Sequence, residues 1–215
     1  AGLCVLALGP QNVTLTYLGI HSNPTSRDRA QRVADTLQTP LIRFDGTALF
    51  EGYVAQMTAA MVEAGYSRAE IDARIAADPT VLGSIRSTMR APWGRGANRL
   101  TGGGIRHGTG NECEDRSVRF FQKGGDGEVD TNPIATLSKG EVFQLARSLG
   151  RTLDEQTTRP RLSGVVVYTE IIHALPSADL WGVGDQHNDQ SELSQQLGVQ
   201  GHPVYSHIDT TTGAY

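Results

Sequence analysis

The chain has 215 residues, long enough to bury a sizeable core. Hydrophobic residues make up 38% and charged residues 20%, with a formal net charge of −4 and a pI near 5.9. This balance suits a soluble globular protein. It lacks the basic stripe of a nucleic-acid surface, and no run approaches the roughly 20 apolar residues of a membrane span.

Residues 1–8 read as the middle of a buried helix, with Cys4 in its apolar run. The β-branched and apolar stretch 13–20 predicts a buried strand. Residues 24–37 carry Ala30, Val33, Ala34 and Leu37 at helical spacing, and 41–44 form a second short strand. Residues 47–65 are helical, with Phe50, Val54, Met57 and Met61 on one face. Ser67 with Glu70 makes a capping box that opens another helix, which stops before Pro79. Residues 81–100 are expected to be helical, with Pro92 as a kink or break. A short strand over 105–108 and a helix over 111–121 follow, then a Gly- and Asp-rich loop over 124–133. Ser138 with Glu141 forms a second capping box, and Gly150 is the expected stop of that last helix. Strands alternating with helices imply an α/β fold, a Rossmann-like parallel sheet covered by helices on both faces. Without a repeat or linker, residues 1–215 read as a single domain. Cys4 and Cys113 form no CxxC pair, and two unpaired thiols suit a reducing cytosol.

The chemistry concentrates in residues 108–139. Gly108-Thr109-Gly110-Asn111 follows the short strand and opens a helix, which points backbone N–H groups at an anion. Glu112, Glu114 and Asp115 come next. In a first turn, acidic residues complement the helix dipole in any case; alternatively one of them holds Mg²⁺ beside a phosphate. The loop from Lys123 to Asp130 mixes a lysine, aspartates and glycines, which also describes an ordinary surface turn. Lys139 stands in the first turn of a capped helix, where a cation is unfavourable for the dipole. A bound phosphate or plain solvation would each offset that cost.

Taken in order, GTGNECED, FFQKGGDGEVDTNPIATLSKGEVFQLARSLG and LPSADLWGVGDQHNDQSEL resemble the motif series of NAD synthetases. That family belongs to the N-type ATP pyrophosphatase, or adenine-nucleotide α-hydrolase-like, group. The resemblance spans nearly the whole chain and is tightest over 90–149. It implies ATP-dependent amidation of deamido-NAD by ammonia through an adenylated nicotinate carboxylate, in a cytoplasmic homodimer with 81–100 at the interface. It also implies that Thr109, Lys139 and Ser177 contact ATP, and that Glu114 binds Mg²⁺. Lys123, Asp130, Arg86 and Arg90 would contact deamido-NAD, and Asp126 would orient ammonia or take its proton. Phe120 and Phe121 are candidates for an aromatic wall beside the nicotinate ring, or for core packing.

The sequence departs from the family in several places. The S-G-G-x-D-S pyrophosphate loop is expected before residue 1, and the family's final helix is expected to finish beyond residue 215. The family's R-x-R-M segment reads Arg86-Ser87-Thr88-Met89 here, with Arg90 following, and residues 151–168 match the family poorly. Two other readings stay open: another ligase of the same ATP pyrophosphatase group, such as a GMP-synthetase-like or tRNA-thiolating enzyme, and a non-catalytic nucleotide-binding relative. A glutaminase partner that supplies the ammonia is possible, but no residue in the chain points to one.

Overall fold

The computed structural model describes residues 1–78, 80–118, 122–156 and 163–174. Helix α1 (Gly2–Leu8) is followed by a short 3₁₀ turn (Pro10–Asn12) and strand β1 (Leu15–Gly19). Helix α2 (Pro24–Leu37) then leads to β2 (Leu41–Asp45). Helices α3 (Thr47–Glu63), α4 (Arg68–Ala77) and α5 (Thr80–Leu100) follow. A π-helical turn (Cys113–Val118) precedes α6 (Lys139–Gln156) and α7 (Gly164–His173).

Among the described residues the sheet has two parallel strands, paired in register from Leu15 with Leu41 to Gly19 with Asp45. Helix α2 makes the crossover. The Asn23 side chain caps it by accepting the Thr25 N–H at 3.0 Å, and Pro24 sits at its first position, where a missing N–H costs nothing. Its apolar face buries Ala34 and Leu37. Helices α2 and α5 both pack against β1. At the top of the sheet the chain enters α3 through Gly46, whose N–H donates to the Gly19 carbonyl at 2.7 Å. A Cβ at Gly46 would lie 2.9 Å from the end of the Leu18 side chain, which would have to move aside for any larger residue. The Asp45 carboxylate accepts the Thr47 N–H at 3.0 Å, and this bond holds its carboxyl below the usual range. The face of α3 is as expected, with Phe50 buried and Val54, Met57 and Met61 half-buried.

The core gathers Val5, Val13, Leu37, Leu149, Leu153 and Tyr168, so α1, α2, α6 and α7 close around the start of β1. Helix α1 is only partly buried, with Gly2 and Val5 inside and Leu8 exposed. Cys4 packs against this core from its edge.

Four expectations are corrected here. Helix α6 does not stop at Gly150 but runs to Gln156. That glycine serves a helix crossing instead: a Cβ at Gly150 would lie 3.0 Å from the Gly164 carbonyl oxygen, and one at Gly164 would lie 2.7 Å from the Gly150 oxygen. The two backbones meet where neither residue has a side chain. Asp154 fixes the same junction from one turn on, accepting from Ser163 Oγ at 2.7 Å and Val165 N at 3.1 Å. The stretch 105–108 is not a strand and contributes one parallel bridge, His107 with Thr131. Residues 113–118 form a π-helical turn rather than a regular α-helix. Pro92 lies inside α5, which continues through it to Leu100.

Tyr168 ties α7 to the first turn of α1. Burial pushes its phenol up to about 12, partly offset by the Gly2 backbone N–H facing it. Folding therefore holds the neutral phenol, and stability present below about pH 10 is lost as pH rises towards 12. Thermal melts from pH 9 to 11.5 should show the wild type losing stability faster than Tyr168→Phe. Parallel curves would contradict this account.

Candidate functional site

The site is built from two chain segments that lie side by side. Gly108 N donates to Thr131 O at 2.8 Å, Asp130 N to Arg106 O at 3.0 Å, and Glu112 N to Leu137 O at 2.8 Å. The Asp130 carboxylate accepts the Arg106 N–H at 2.7 Å, and His107 Nδ1 meets Thr131 Oγ1 at 2.6 Å. Asn132 reaches across, its Nδ2 donating to Gly110 O at 2.7 Å and to Asp115 Oδ2 at 3.1 Å. Glycines flank Thr109 for steric reasons. A Cβ at Gly108 would lie 2.7 Å from the Val129 side chain, and one at Gly110 would collide with the Asp115 carboxylate.

Asn111, only 2% exposed, organises the next turn by accepting the Glu114 N–H at 3.1 Å. This aims Glu114 at the start of α6, where its Oε1 pairs with Lys139 Nζ, both side chains largely shielded from solvent. The Lys139 backbone N–H points at Cys113 Sγ at 3.4 Å. The expected capping box closes in both directions, with Ser138 N to Glu141 Oε2 at 2.7 Å and Glu141 N to Ser138 Oγ at 3.3 Å.

Asp126 approaches from the glycine-rich loop. Its Oδ1 accepts Gln122 N at 2.8 Å and Ser87 Oγ at 3.1 Å, while Ser84 Oγ donates to Gln122 Oε1 at 2.7 Å. The Asp115 carboxyl is pushed up by burial, then by the negative charges of Glu114 and Asp126, with the Asn132 bond offsetting part of the rise. Asp115 thus feels the charges of both Glu114 and Asp126, and the Lys139 ammonium pairs with Glu114.

Of the residues expected at the site, Glu114 and Lys139 pair, Thr109 lies in the exposed turn between its two glycines, and Asp126 sits on the adjoining loop, close enough for its charge to act on Asp115. Asp130 is exposed and bound to the Arg106 amide, and Lys123 is exposed on the loop. Arg90 is half-buried on α5. Arg86 is 2% exposed, and its Nη2 donates to the Ile20 carbonyl just beyond β1. Ser177, Phe120 and Phe121 lie outside the described residues. Reading the sequence missed Ser84, Ser87 and Asn132. The one available signal was the spacing of the two serines, three apart on one face of a predicted helix.

A model of the NAD synthase family matches residues 1–209. The chain belongs to the NAD synthase family. An NH₃-dependent NAD⁺ synthetase from Halobacterium salinarum is 30% identical over 202 residues, covering 94% of this chain and 59% of that protein. One from Methanococcoides burtonii is 32% identical over 186 residues, covering 84% and 57%. The chain thus spans less than two thirds of these relatives. Its fold is similar to that of NMN synthetase from Francisella tularensis, with a TM-score of 0.66 at 20% identity over 94% of this chain and 72% of the other. NAD synthase membership, the α/β class and the parallel strands all agree with the expectations from sequence.

The Glu114–Lys139 pair is shielded enough to contribute to stability. An exposed pair such as Arg68–Asp72, at 2.9 Å, is worth a few tenths of a kcal/mol. A double-mutant cycle with Glu114→Gln and Lys139→Gln should give a coupling of roughly 1 kcal/mol or more, against less than about 0.5 kcal/mol for Arg68 with Asp72. Equal couplings in urea melts would place Glu114 and Lys139 in open solvent.

Proposed function

We propose that the complete protein amidates deamido-NAD to NAD, consuming ATP and ammonia. The observation that carries this reading is the Glu114–Lys139 pair beside the Gly108–Asn111 turn, in a chain whose family is NAD synthase. The relatives named above are NH₃-dependent NAD⁺ synthetases, which favours this reading over another ligase of the ATP pyrophosphatase group.

The chemistry follows from charge. A nicotinate carboxylate is a poor electrophile, and ATP repels it. Attack of the carboxylate oxygen on the α-phosphorus expels pyrophosphate and leaves an acyl adenylate. Ammonia then adds to the acyl carbon and loses a proton, and AMP departs. Thr109 and Lys139 contact the phosphates, with Ser177 joining them, and Lys139 offsets their charge. Lys123 and Asp130 meet the dinucleotide. Arg90 approaches it from α5, and Arg86 reaches it only by leaving the Ile20 carbonyl. Asp126 orients ammonia or takes its proton.

The donor set suits Mg²⁺, which uses one or two carboxylates and completes its shell with phosphate oxygens and water. Glu114 already holds a cation, the Lys139 ammonium, at its Oε1. The metal, when bound, neutralises phosphate charge during transfer. Phosphate oxygens of the nucleotide and water would supply the remaining ligands. Two cysteines that form no disulfide suit a cytoplasmic setting.

ATP–pyrophosphate exchange and ammonia-dependent amidation of deamido-NAD test the reading directly, with nicotinate mononucleotide as competing substrate. Glu114→Gln should lower exchange about a hundredfold or more while the protein stays folded. Unchanged exchange returns Glu114 to pairing with Lys139 alone, and preference for the mononucleotide changes the substrate.

The complete protein is also a homodimer that uses α5. Phe44 stacks on Trp93 at 5.9 Å near the middle of that helix, and Leu100 at its end is 90% exposed. Sedimentation at micromolar concentration should give twice the chain mass. A monomer would overturn this part of the reading.

A further inference from the structure

We propose that Ser87 is a positioning residue for Asp126 in the ammonia-dependent half of the reaction, an inference that rests on the functional reading above. Ser87 is 4% exposed in the middle of α5, next to Arg86, whose guanidinium fastens the helix to the Ile20 carbonyl. Its hydroxyl therefore sits on a buried face of a long helix. Asp126 is exposed on a glycine-rich loop whose turns carry backbone hydrogen bonds, Gly125 N to Gln122 O at 2.9 Å and Glu128 N to Gly125 O at 3.1 Å.

The loop is pressed onto this hydroxyl. A Cβ at Gly125 would lie 2.7 Å from Ser87 Oγ and 2.9 Å from its carbonyl carbon and oxygen, so only glycine permits the contact. Ser87 Oγ and Gln122 N both donate to Asp126 Oδ1, at 3.1 and 2.8 Å. The Gln122 side chain is held in turn by Ser84, one helical turn before Ser87. Arg95 and Glu128 form a second tie between α5 and the loop. With Oδ1 engaged twice, the rotation of the carboxylate is fixed. Oδ2, which accepts no hydrogen bond among the described residues, is the oxygen presented to ammonia. Ser87 exchanges no proton with substrate. It acts by holding Oδ2 where the ammonia proton will be, and a misplacement of about 1 Å there can cost on the order of a hundredfold in rate.

The test uses the complete protein with ATP, deamido-NAD and ammonia. Ser87→Ala should lower the kcat of amidation roughly tenfold. ATP–pyrophosphate exchange, the KM for ATP and the melting temperature should stay close to wild type, because adenylation does not use Asp126. In an Asp126→Asn background, Ser87→Ala should change amidation less than about twofold, since the group it positions is gone. Three results would overturn the inference: unaltered kcat in Ser87→Ala, equal losses in both backgrounds, or an exchange loss matching the amidation loss. A wild type lacking ammonia-dependent amidation overturns the functional reading itself, and this inference with it.

Discussion

Residues 106–115 and 130–139 have little regular structure of their own, and a buried backbone polar group without a partner is costly. Each segment meets that constraint through the other. Arg106, Gly108 and Glu112 trade backbone hydrogen bonds with Asp130, Thr131 and Leu137, and Asn132 bridges to Gly110 and Asp115. The pairing brings Glu114 to Lys139, residues 25 apart in sequence, and sets Asp115 beside Asn132.

Helix α5 is the second support. Through Arg86 it grips the chain just beyond β1, and through Ser84, Ser87 and Arg95 it grips the loop that carries Asp126. At Gly94 it lets the Arg106 guanidinium approach a would-be Cβ position to 3.0 Å, so the pair of segments rests on the same helix. A break at Pro92 would separate the Arg86 end from the Gly94 end. The ring removes one N–H donor, a cost the helix withstands while burial of Ala91 and stacking of Trp93 on Phe44 hold both sides in place.

What could be read from the sequence follows from where each signal resides. The bounds of α2 were legible because the spacing of Ala30, Val33, Ala34 and Leu37 is a local signal. The capping boxes at Ser67 and Ser138 were legible for the same reason. Gly150 was misread because a glycine late in a helix looks the same whether it ends the helix or admits a partner, and Gly164 decides that from fourteen residues away. The π-helical turn at 113–118 escaped because its geometry depends on Asn111 and on α6 rather than on its own residues. The site motifs were legible as a set, since most of them lie within the single stretch 108–139. The Ser87–Asp126 contact spans 39 residues and carries no motif.

Lys139 shows how a sequence argument changes once the partner is known. A lysine in the first turn of a helix opposes the dipole by a few tenths to about 1 kcal/mol, and a bound phosphate is one way to offset that. The structure supplies another: Glu114 pairs with the ammonium in a shielded setting, and the Ser138–Glu141 box places a further carboxylate at the same helix start. The position of the lysine does not by itself call for a nucleotide. The charge around it is mixed, since the Arg116 guanidinium also acts on Asp115 against Glu114 and Asp126. The lysine is therefore accounted for by its carboxylate partner before any ligand is invoked, and what it does for a ligand depends on whether that ligand can compete with Glu114 for the ammonium.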